Sequence, residues 1–387
     1  MPNRSKSSRL AHMMGIGVDK MGNAADAADS SEMLRLENLD TDIPPPNVAI
    51  EVTRSGVNKD ENNSYLPFFG LDELRKAAAD RVARVSGVAY DWRSECIITA
   101  GGMSGILNCF LALLEPGDEV IVTDPTYAGI INRIYLAGGV PVYVPLVPTQ
   151  QGWTLDREAL TKAVTPRTRM FCASPGMPTG HVFTKEEWEA VCQLCRDNDL
   201  WLLYDAAMER ILYDQRIVIH PASFPEMRQR TITVGAASKE LRMIGWRVGW
   251  VVAPKGIMND IGLVSISNVV CQTGISMAGV AAGLNAADDG LKEAVRIWEE
   301  RRNILLDELR PFNVIPPHAG WSMLFDVAAL GMTSQEAVER LFQKAKVAAT
   351  PMIGWGKDAG KFVRLVFSNE PKERLIGIGE KFMRALH

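Results

Sequence analysis

A lysine stands at the end of an apolar run, where a charged side chain would lose most of its hydration. Lys239 follows the run 231–237, which has the composition of a buried strand, and Arg247 comes eight residues later. Removing an ammonium group from water is costly unless a carboxylate, an escape to solvent or a covalent bond compensates the loss. A covalent bond would make the chain an enzyme that uses an aldehyde cofactor.

Three other positions with chemical potential lie at the ends of apolar runs. Asp205 ends the run 200–205, and its carboxylate could cap a helix, accept buried hydrogen bonds or keep a heterocyclic nitrogen protonated. Two glycines at 101–102 separate an apolar strand from an apolar helix, a pattern that suits either a packing turn or a phosphate at the helix N-terminus. Arg247 could form a structural ion pair or bind an anion.

Aromatic and basic residues complete a set that fits one cofactor. Tyr127, Tyr65 and Arg364 each have an ordinary structural explanation, as loop aromatics and a strand arginine. In chain order, however, a glycine loop, an aromatic residue, an aspartate, a lysine and an arginine match the parts of pyridoxal 5′-phosphate. That cofactor has a phosphate, a ring to stack on, a pyridine nitrogen and an aldehyde. The order and spacing therefore predict this cofactor, with Lys239 as its covalent partner.

The elements that must position these residues alternate along the chain. From residue 70 onward, helical patterns alternate with short apolar runs, among them 95–100, 119–125, 169–174 and 200–205. Such alternation predicts a mostly parallel sheet covered by helices on both faces, and ligands bind beyond the carboxyl ends of the strands in such sheets. Thr184 and the glutamate three residues later have the spacing of a capping box, so we expect a helix to begin there.

A change of composition near residue 285 divides the expected fold. A long, charge-rich amphipathic helix is followed by a second, smaller group of strands and helices. We predict an α/β fold with a three-layer large domain at 45–285 and a smaller α+β domain at 286–387, to which an N-terminal arm at 1–44 contributes. The first thirty or so residues are polar, and we expect them to be partly disordered or loosely docked.

Composition and charge exclude several classes of partner. The 387 residues carry a formal net charge of −4, with 47% hydrophobic and 23% charged residues. This balance is that of a globular protein with no general attraction to nucleic acid or anionic membranes. No apolar run reaches the roughly 18–20 residues of a membrane helix, and no signal peptide is evident, so we expect a cytoplasmic location. Histidines and cysteines lack metal-ligand spacing, and we expect no metal site.

Seven motifs together resemble those of the class I/II aminotransferases, fold type I pyridoxal-phosphate enzymes that include aspartate aminotransferase. The resemblance covers roughly residues 36–387, and the motifs, in the family's order, are YLPFFGLDELR, TAGG, DPTY, SPGMPTG, YDAAMER, SKELRMIGWRVG and VRLVFS. It implies a homodimer with shared active sites. It also implies transfer of an amino group between an L-amino acid and a 2-oxo acid.

The resemblance further implies a role for each matching residue. Lys239 would form the Schiff base and move the substrate proton, and Asp205 would face the pyridine nitrogen. The phosphate would be bound by the backbone amides of Gly102 and Met103, together with Arg247 and Ser238. Tyr127 would stack on the cofactor ring, and Arg364 would bind the substrate carboxylate. Tyr65 would reach the phosphate in the neighbouring subunit.

Several positions depart from the family pattern. Met177 and Met208 stand where the family has an asparagine and a tyrosine that donate hydrogen bonds to O3′, the cofactor's ring oxygen. Because a thioether donates no hydrogen bond, we hypothesise that the Schiff base keeps its proton to higher pH, unless Tyr213 replaces the missing donor. Ala236 occupies the position at which the family commonly has a phosphate-binding serine. Leu39 occupies the position at which the family often has a glycine in the substrate-binding loop.

Amino-group transfer by a ping-pong mechanism is the leading prediction. The two alternatives are a different reaction with the same cofactor and a regulator that is not an enzyme. The loss of both O3′ donors favours a β-lyase, decarboxylase or oxidase of an amino acid on the same fold. A cofactor-sensing regulator would carry a DNA-binding module, and the first forty-five or so residues show no helix-turn-helix pattern or basic patch. No arginine is assigned to a distal carboxylate, so an acidic substrate is not supported.

Overall fold

A computed structural model describes residues 10–28 and 30–387 of the chain. The part of the predicted N-terminal arm that falls on residues 1–9 and 29 lies outside the described residues. The strands are β1 (Leu34–Arg35), β2 (Cys96–Thr99), β3 (Glu119–Asp124), β4 (Val140–Thr149), β5 (Gly152–Leu155), β6 (Thr168–Ala173), β7 (Trp201–Asp205), β8 (Thr231–Ala236), β9 (Gly249–Val252), β10 (Val314–Ile315), β11 (Ser322–Asp326), β12 (Val347–Ala348), β13 (Thr350–Pro351) and β14 (Phe362–Val366).

Helices lie before, between and after these strands. They are α1 (Val18–Ala28), α2 (Asn47–Gly56), α3 (Asp72–Ser86), α4 (Trp92–Glu95), α5 (Gly102–Leu113), α6 (Ala128–Leu136), α7 (Arg157–Lys162), α8 (Lys185–Asp197), α9 (Lys255–Val269), α10 (Gly274–Asn285), α11 (Leu291–Glu308), α12 (Ser334–Arg340), α13 (Lys372–Leu375) and α14 (Ile378–Leu386). The capping box expected at Thr184 is present, and α8 begins directly after it.

The larger sheet has the strand order β2-β9-β8-β7-β6-β3-β4-β5. Strands β8, β7, β6, β3 and β4 are parallel to their neighbours in that run, whereas β9 is antiparallel to both β2 and β8. Alternate side chains of one strand enter different cores: Ile97 packs with α5 and α9, and Ile98 packs with α3 and α10. The expected α/β fold, with a mostly parallel sheet covered on both faces, is confirmed.

A second sheet forms from the C-terminal part of the chain. Its order is β10-β11-β14-β13 with antiparallel pairs, and β1 pairs separately with β12. The long helix α11 precedes this sheet. Arg301 of α11 bonds both carboxylate oxygens of Asp42 at 2.8 Å and the Ser368 carbonyl at 2.7 Å, so the N-terminal residues and the second sheet are joined. The predicted boundaries at 44/45 and 285/286 stay predictions.

Residues 18–28 differ from the loosely docked arm that the polarity of the first thirty residues suggested. Helix α1 buries Met21 and Ala25, which are 7% and 4% exposed. Asp26 of this helix also forms an ion pair with Arg35 at 2.7 Å. One apolar stripe is enough to dock a short amphipathic helix. Its docking brings Val18, the first residue of α1, and the preceding Ile16 to the cavity described next.

Candidate active site

A cavity of about 420 Å³ lies at the carboxyl ends of β6, β7 and β8. The residues that the sequence predicted for the site line it, except Tyr65, which is 80% exposed elsewhere on the surface, and the alternative donor Tyr213. The lining residues are Ile16, Val18, Asp19, Asn38, Leu39, Gly102, Met103, Tyr127, Ser174, Pro175, Met177, Asp205, Ala207, Met208, Ala236, Ser238, Lys239, Ile244, Arg247 and Arg364.

One end of the cavity is built to bind an anion. Helix α5 begins there with Gly102 and Met103, so its first N–H groups and its positive dipole end are available. Arg247 lies beside them and donates from Nη1 to Ser238 Oγ at 3.3 Å. Strand β9 passes so close that a Cβ on Gly249 would lie 2.5 Å from the Gly102 nitrogen. These groups fit a phosphate.

Asp205 provides a buried negative charge deeper in the cavity. Its carboxylate ends β7 and accepts hydrogen bonds from Ser174 Oγ at 2.9 Å and from the Ala207 N–H at 3.2 Å. Burial raises the pKa of Asp205, and these two donors lower it without reversing the shift. A cation placed beside this carboxylate would be stabilised by it, so Asp205 fits a protonated pyridine nitrogen.

Lys239 lies just beyond the end of β8 and supplies an amine to the same space. Its Nζ donates to the Leu39 carbonyl at 2.8 Å. Burial is the main reason that the pKa of Lys239 falls from 10.5 to about 7. A large fraction of the side chain is therefore a neutral amine at physiological pH, which is the nucleophilic form.

The loop that carries Lys239 is fixed by a buried ionic cluster. Glu240 accepts the Arg210 N–H at 2.9 Å and pairs with Arg81 at 3.2 Å. Arg210 and Arg81 also reach Asp289, at 2.9 and 3.3 Å. Opposite charges in the interior are stable when each has partners of this kind. The cluster therefore joins the lysine loop to α3 and to the segment after β7.

Arg364 offers unused donors at the far side of the cavity. It lies on β14, is 1% exposed, and donates from Nη2 to the Glu37 carbonyl at 2.6 Å and to Thr350 Oγ1 at 3.2 Å. Within the described parts of the chain, its Nε has no hydrogen-bond partner. Burial lowers the pKa of Arg364 to about 10, so the group stays cationic at neutral pH. A guanidinium with open donors suits a carboxylate.

The structure also locates the two thioethers. Met177 and Met208 both line the cavity and are 8% and 4% exposed. Tyr213, the candidate replacement donor, does not line the cavity, and its hydroxyl donates to the Gly320 carbonyl. That alternative was wrong, because the tyrosine is buried behind the cavity wall with its donor already used.

Sequence reasoning missed the residues that only tertiary packing brings to the site. Ile16, Val18 and Asp19 line the cavity, and Trp355 packs between Tyr127 at 5.4 Å and the Arg364 guanidinium at 4.8 Å. No local pattern marks these residues in the sequence. The contact between Tyr127 and Trp355, for example, joins residues more than two hundred positions apart.

The three-layer fold, the anion cradle, the buried aspartate and the lysine together define the class of fold type I pyridoxal-phosphate enzymes. Residues 32–376 match the family described as aminotransferase class I and II. The chain belongs to this family and is an aminotransferase.

Known relatives are similar over nearly the whole length. The aspartate/prephenate aminotransferase of Thermus thermophilus is 31% identical over 92% of this chain and 91% of that protein. The arginine–pyruvate transaminase of Pseudomonas aeruginosa is 30% identical over 88% and 86%. Among solved structures, aspartate aminotransferase from Thermus thermophilus with maleate has a TM-score of 0.91, with 28% identity, 99% of this chain and 100% of that chain covered.

Across residues 10–28 and 30–387, every helix is too short or too polar to cross a bilayer.

Proposed function

We propose that the chain binds pyridoxal 5′-phosphate through a Schiff base with Lys239 and moves an amino group between an L-amino acid and a 2-oxo acid by a ping-pong mechanism. One observation carries the proposal. An amine with a pKa of about 7, a buried carboxylate and a guanidinium whose Nε has no partner in the described residues face the same cavity. These three groups are what imine formation, ring protonation and carboxylate binding require.

The residues at the anion end would hold the cofactor. The N-terminus of α5, Ser238 and Arg247 would bind its phosphate, Tyr127 would stack on its ring, and Asp205 would pair with its pyridine nitrogen. When bound, the cofactor supplies an aldehyde that forms imines with amines and a ring that accepts electron density from the substrate carbon. The protein supplies orientation and protons.

Lys239 and Arg364 would act on the substrate. Arg364 would orient the amino acid by its carboxylate, which fixes the bond from which the proton leaves. Lys239 would take up that proton at Nζ and later return it, because a neutral amine of pKa about 7 can serve as base and its ammonium as acid. The Leu39 carbonyl, 2.8 Å from Nζ, keeps the amine at one place between these steps.

The apolar mouth of the cavity bears on the substrate class. Ile16, Val18 and Ile244 form an apolar wall, and Asp19 adds a carboxylate beside them. A second carboxylate on the substrate would meet this negative charge, whereas a neutral or cationic side chain would not. We therefore include in the proposal a substrate with a neutral or cationic side chain.

The homodimer with shared active sites is also part of the proposal. Exposed Tyr65, Phe68 and Leu263 lie on two segments that pack together, since Asn62 and Phe69 contact the α9–α10 region. We infer that this region, with large exposed apolar residues on two neighbouring segments, forms the protein–protein interface. Tyr65 would then complete the site of the partner subunit.

A second candidate outcome has one specific observation in its favour. With Met177 and Met208 at the cavity wall, O3′ of the cofactor would lack both of its usual donors. A cofactor with altered electronics could direct the same amino acid toward β-elimination, decarboxylation or oxidation.

A single-turnover titration distinguishes the two outcomes. The purified protein is mixed with one amino acid at a time, and the visible band of the bound cofactor is followed. Loss of the band, and its return on adding a 2-oxo acid, is the expected result for transamination. Release of ammonia, carbon dioxide or peroxide without the need for a 2-oxo acid would reject it.

A further inference from the structure

The ring of Trp321 lies beside the amine of Lys239. Nζ is 4.6 Å from the ring centroid, within the roughly 6 Å over which a cation is attracted to an aromatic face. Trp321 is fully buried, so water does not weaken the attraction. The reaction proposed above gives this tryptophan no role.

Packing fixes the position of the ring. Trp298 packs edge-on against it at 5.1 Å and donates from Nε1 to Thr41 Oγ1 at 3.1 Å. Thr41 lies two residues after Leu39, whose carbonyl accepts the hydrogen bond from Lys239. One short segment therefore sets both contacts of the amine, the carbonyl directly and the indole through Trp298.

The buried N–H of a tryptophan at this position is unfavourable, and attraction between the ring face and a cation can offset that cost. No residue in the described ranges accepts a hydrogen bond from the Trp321 Nε1–H. A buried donor without a partner is unfavourable, and leucine or phenylalanine would fill most of the space without one. Among side chains, the indole face attracts a cation most strongly. The nearby Lys239 ammonium is the cation that it meets.

Charges of both signs act on Lys239. Asp40 and Asp205 favour the ammonium form, whereas Arg364 and Arg247 disfavour it, and burial disfavours it most. One additional contact that stabilises the ammonium alone raises the pKa of this buried amine. The indole face is such a contact, because it attracts the cation and not the neutral amine.

We propose that Trp321 is a positioning residue for Lys239. Its ring and the Leu39 carbonyl hold the side chain in one place and stabilise its ammonium form whenever Nζ is not bonded to the cofactor, so that a proton taken up by Lys239 stays at one place until it is returned. This inference rests on the proposed function, because it assumes that Lys239 is the cofactor lysine.

Competitive labelling with acetic anhydride measures the effect in the full-length, cofactor-free protein. The labelled fraction of the Lys239 peptide is followed by mass spectrometry across pH and gives the pKa of the amine. Trp321→Leu should lower this pKa by about one unit, so that labelling well below the pKa rises about tenfold. Trp321→Phe, which keeps a weaker ring, should lower it less. Trp153→Leu is the matched control, since Trp153 is also buried, has no partner for its N–H among the residues that the structure describes, and packs on Phe362.

The direction of the shift separates the proposal from a packing effect. Water entering the vacated space would raise the pKa of Lys239, so a rise, or equal values for wild type and Trp321→Leu, would overturn the proposal. If the leucine variant does not fold, a pKa in Trp321→Phe equal to that of wild type overturns it. Failure of the proposed function is seen independently, as cofactor that borohydride fixes to another lysine of the wild-type protein.

Discussion

Burial sets the protonation behaviour of the site at the scale of single residues. It lowers the pKa of Lys239 to about 7 and that of Arg364 to about 10, and it raises the pKa of Asp205. Each shift follows from the loss of hydration around the charged form. The amine thereby becomes a nucleophile near neutral pH, while the guanidinium keeps its charge for a carboxylate.

The two thioethers lead to a prediction about the visible spectrum. Met208→Tyr should lower the pKa of the Schiff base by about one to two units, because a donor to the negative O3′ stabilises the deprotonated form. Met177→Asn should act in the same direction. The pKa is read from a pH titration of the visible band. Met208→Leu, which provides no donor, should leave it unchanged, and an equal shift in that variant would contradict the explanation.

The carboxylate at the cavity mouth predicts how substrate preference can be changed. Asp19→Lys should raise kcat/KM for amino acids with an acidic side chain about two- to fivefold relative to neutral ones, the range expected for an exposed charge pair. Steady-state kinetics with a panel of amino acids measures the ratio. Glu32→Lys makes the same charge change away from the cavity and should leave the ratio unaltered. An identical shift in both variants would mean that net charge, not position, is responsible.

At the scale of elements, local patterns predicted most of what the structure shows. The strands β3, β7 and β8 lie within the apolar runs, and β6 begins one residue before its run. The Thr184 capping box marks the start of α8. The antiparallel direction of β9 was not predicted. A strand buried on both faces has the same apolar composition whichever way it runs, so only its partners define its direction.

That antiparallel strand supports the phosphate end of the site. Gly249→Ala would place a Cβ 2.5 Å from the Gly101 carbonyl carbon and the Gly102 nitrogen, so the start of α5 would have to move. We expect the affinity for the cofactor to fall at least tenfold, since the α5 donors would no longer converge on the phosphate. Spectroscopic titration of the cofactor-free protein measures the affinity.

Gly245→Ala is the control for that substitution. Gly245 lies in the same segment, and an added Cβ there would meet open space. The affinity of the Gly245→Ala variant for the cofactor should equal that of the wild-type protein. Unchanged affinity in Gly249→Ala would show that α5 does not bind the phosphate.

At the scale of the whole molecule, the proposed dimer depends on one exposed apolar region. Leu263→Asp should dissociate the dimer, because a carboxylate buried at an apolar interface loses its hydration without gaining a partner. Light scattering with size-exclusion chromatography gives the molar mass of the variant in solution. If Tyr65 contributes to the partner's site, the affinity of the variant for the cofactor should fall as the dimer dissociates. Ile217→Asp, at a position that is 76% exposed elsewhere, should stay dimeric. Equal masses for wild type and Leu263→Asp would reject this surface as the interface.

The parts of the site that escaped sequence reasoning belong to this largest scale. Lys239, Asp205 and Arg364 were predicted because each ends or lies within an apolar run and matches a motif in order. Trp321 and Asp19 were not, because their roles depend on contacts with residues far away in the chain, as between Trp321 and Lys239. Such contacts are properties of the folded molecule, and no spacing in the sequence encodes them.

Borohydride reduction followed by peptide mapping tests the central claim most directly. Reduction of the cofactor-loaded protein converts a Schiff base into a stable secondary amine, and mass spectrometry locates the added mass. We predict that the mass lies on the peptide containing Lys239 and that Lys239→Ala abolishes it, together with the visible band. Labelling of a different lysine, or a visible band that persists in Lys239→Ala, would contradict the account.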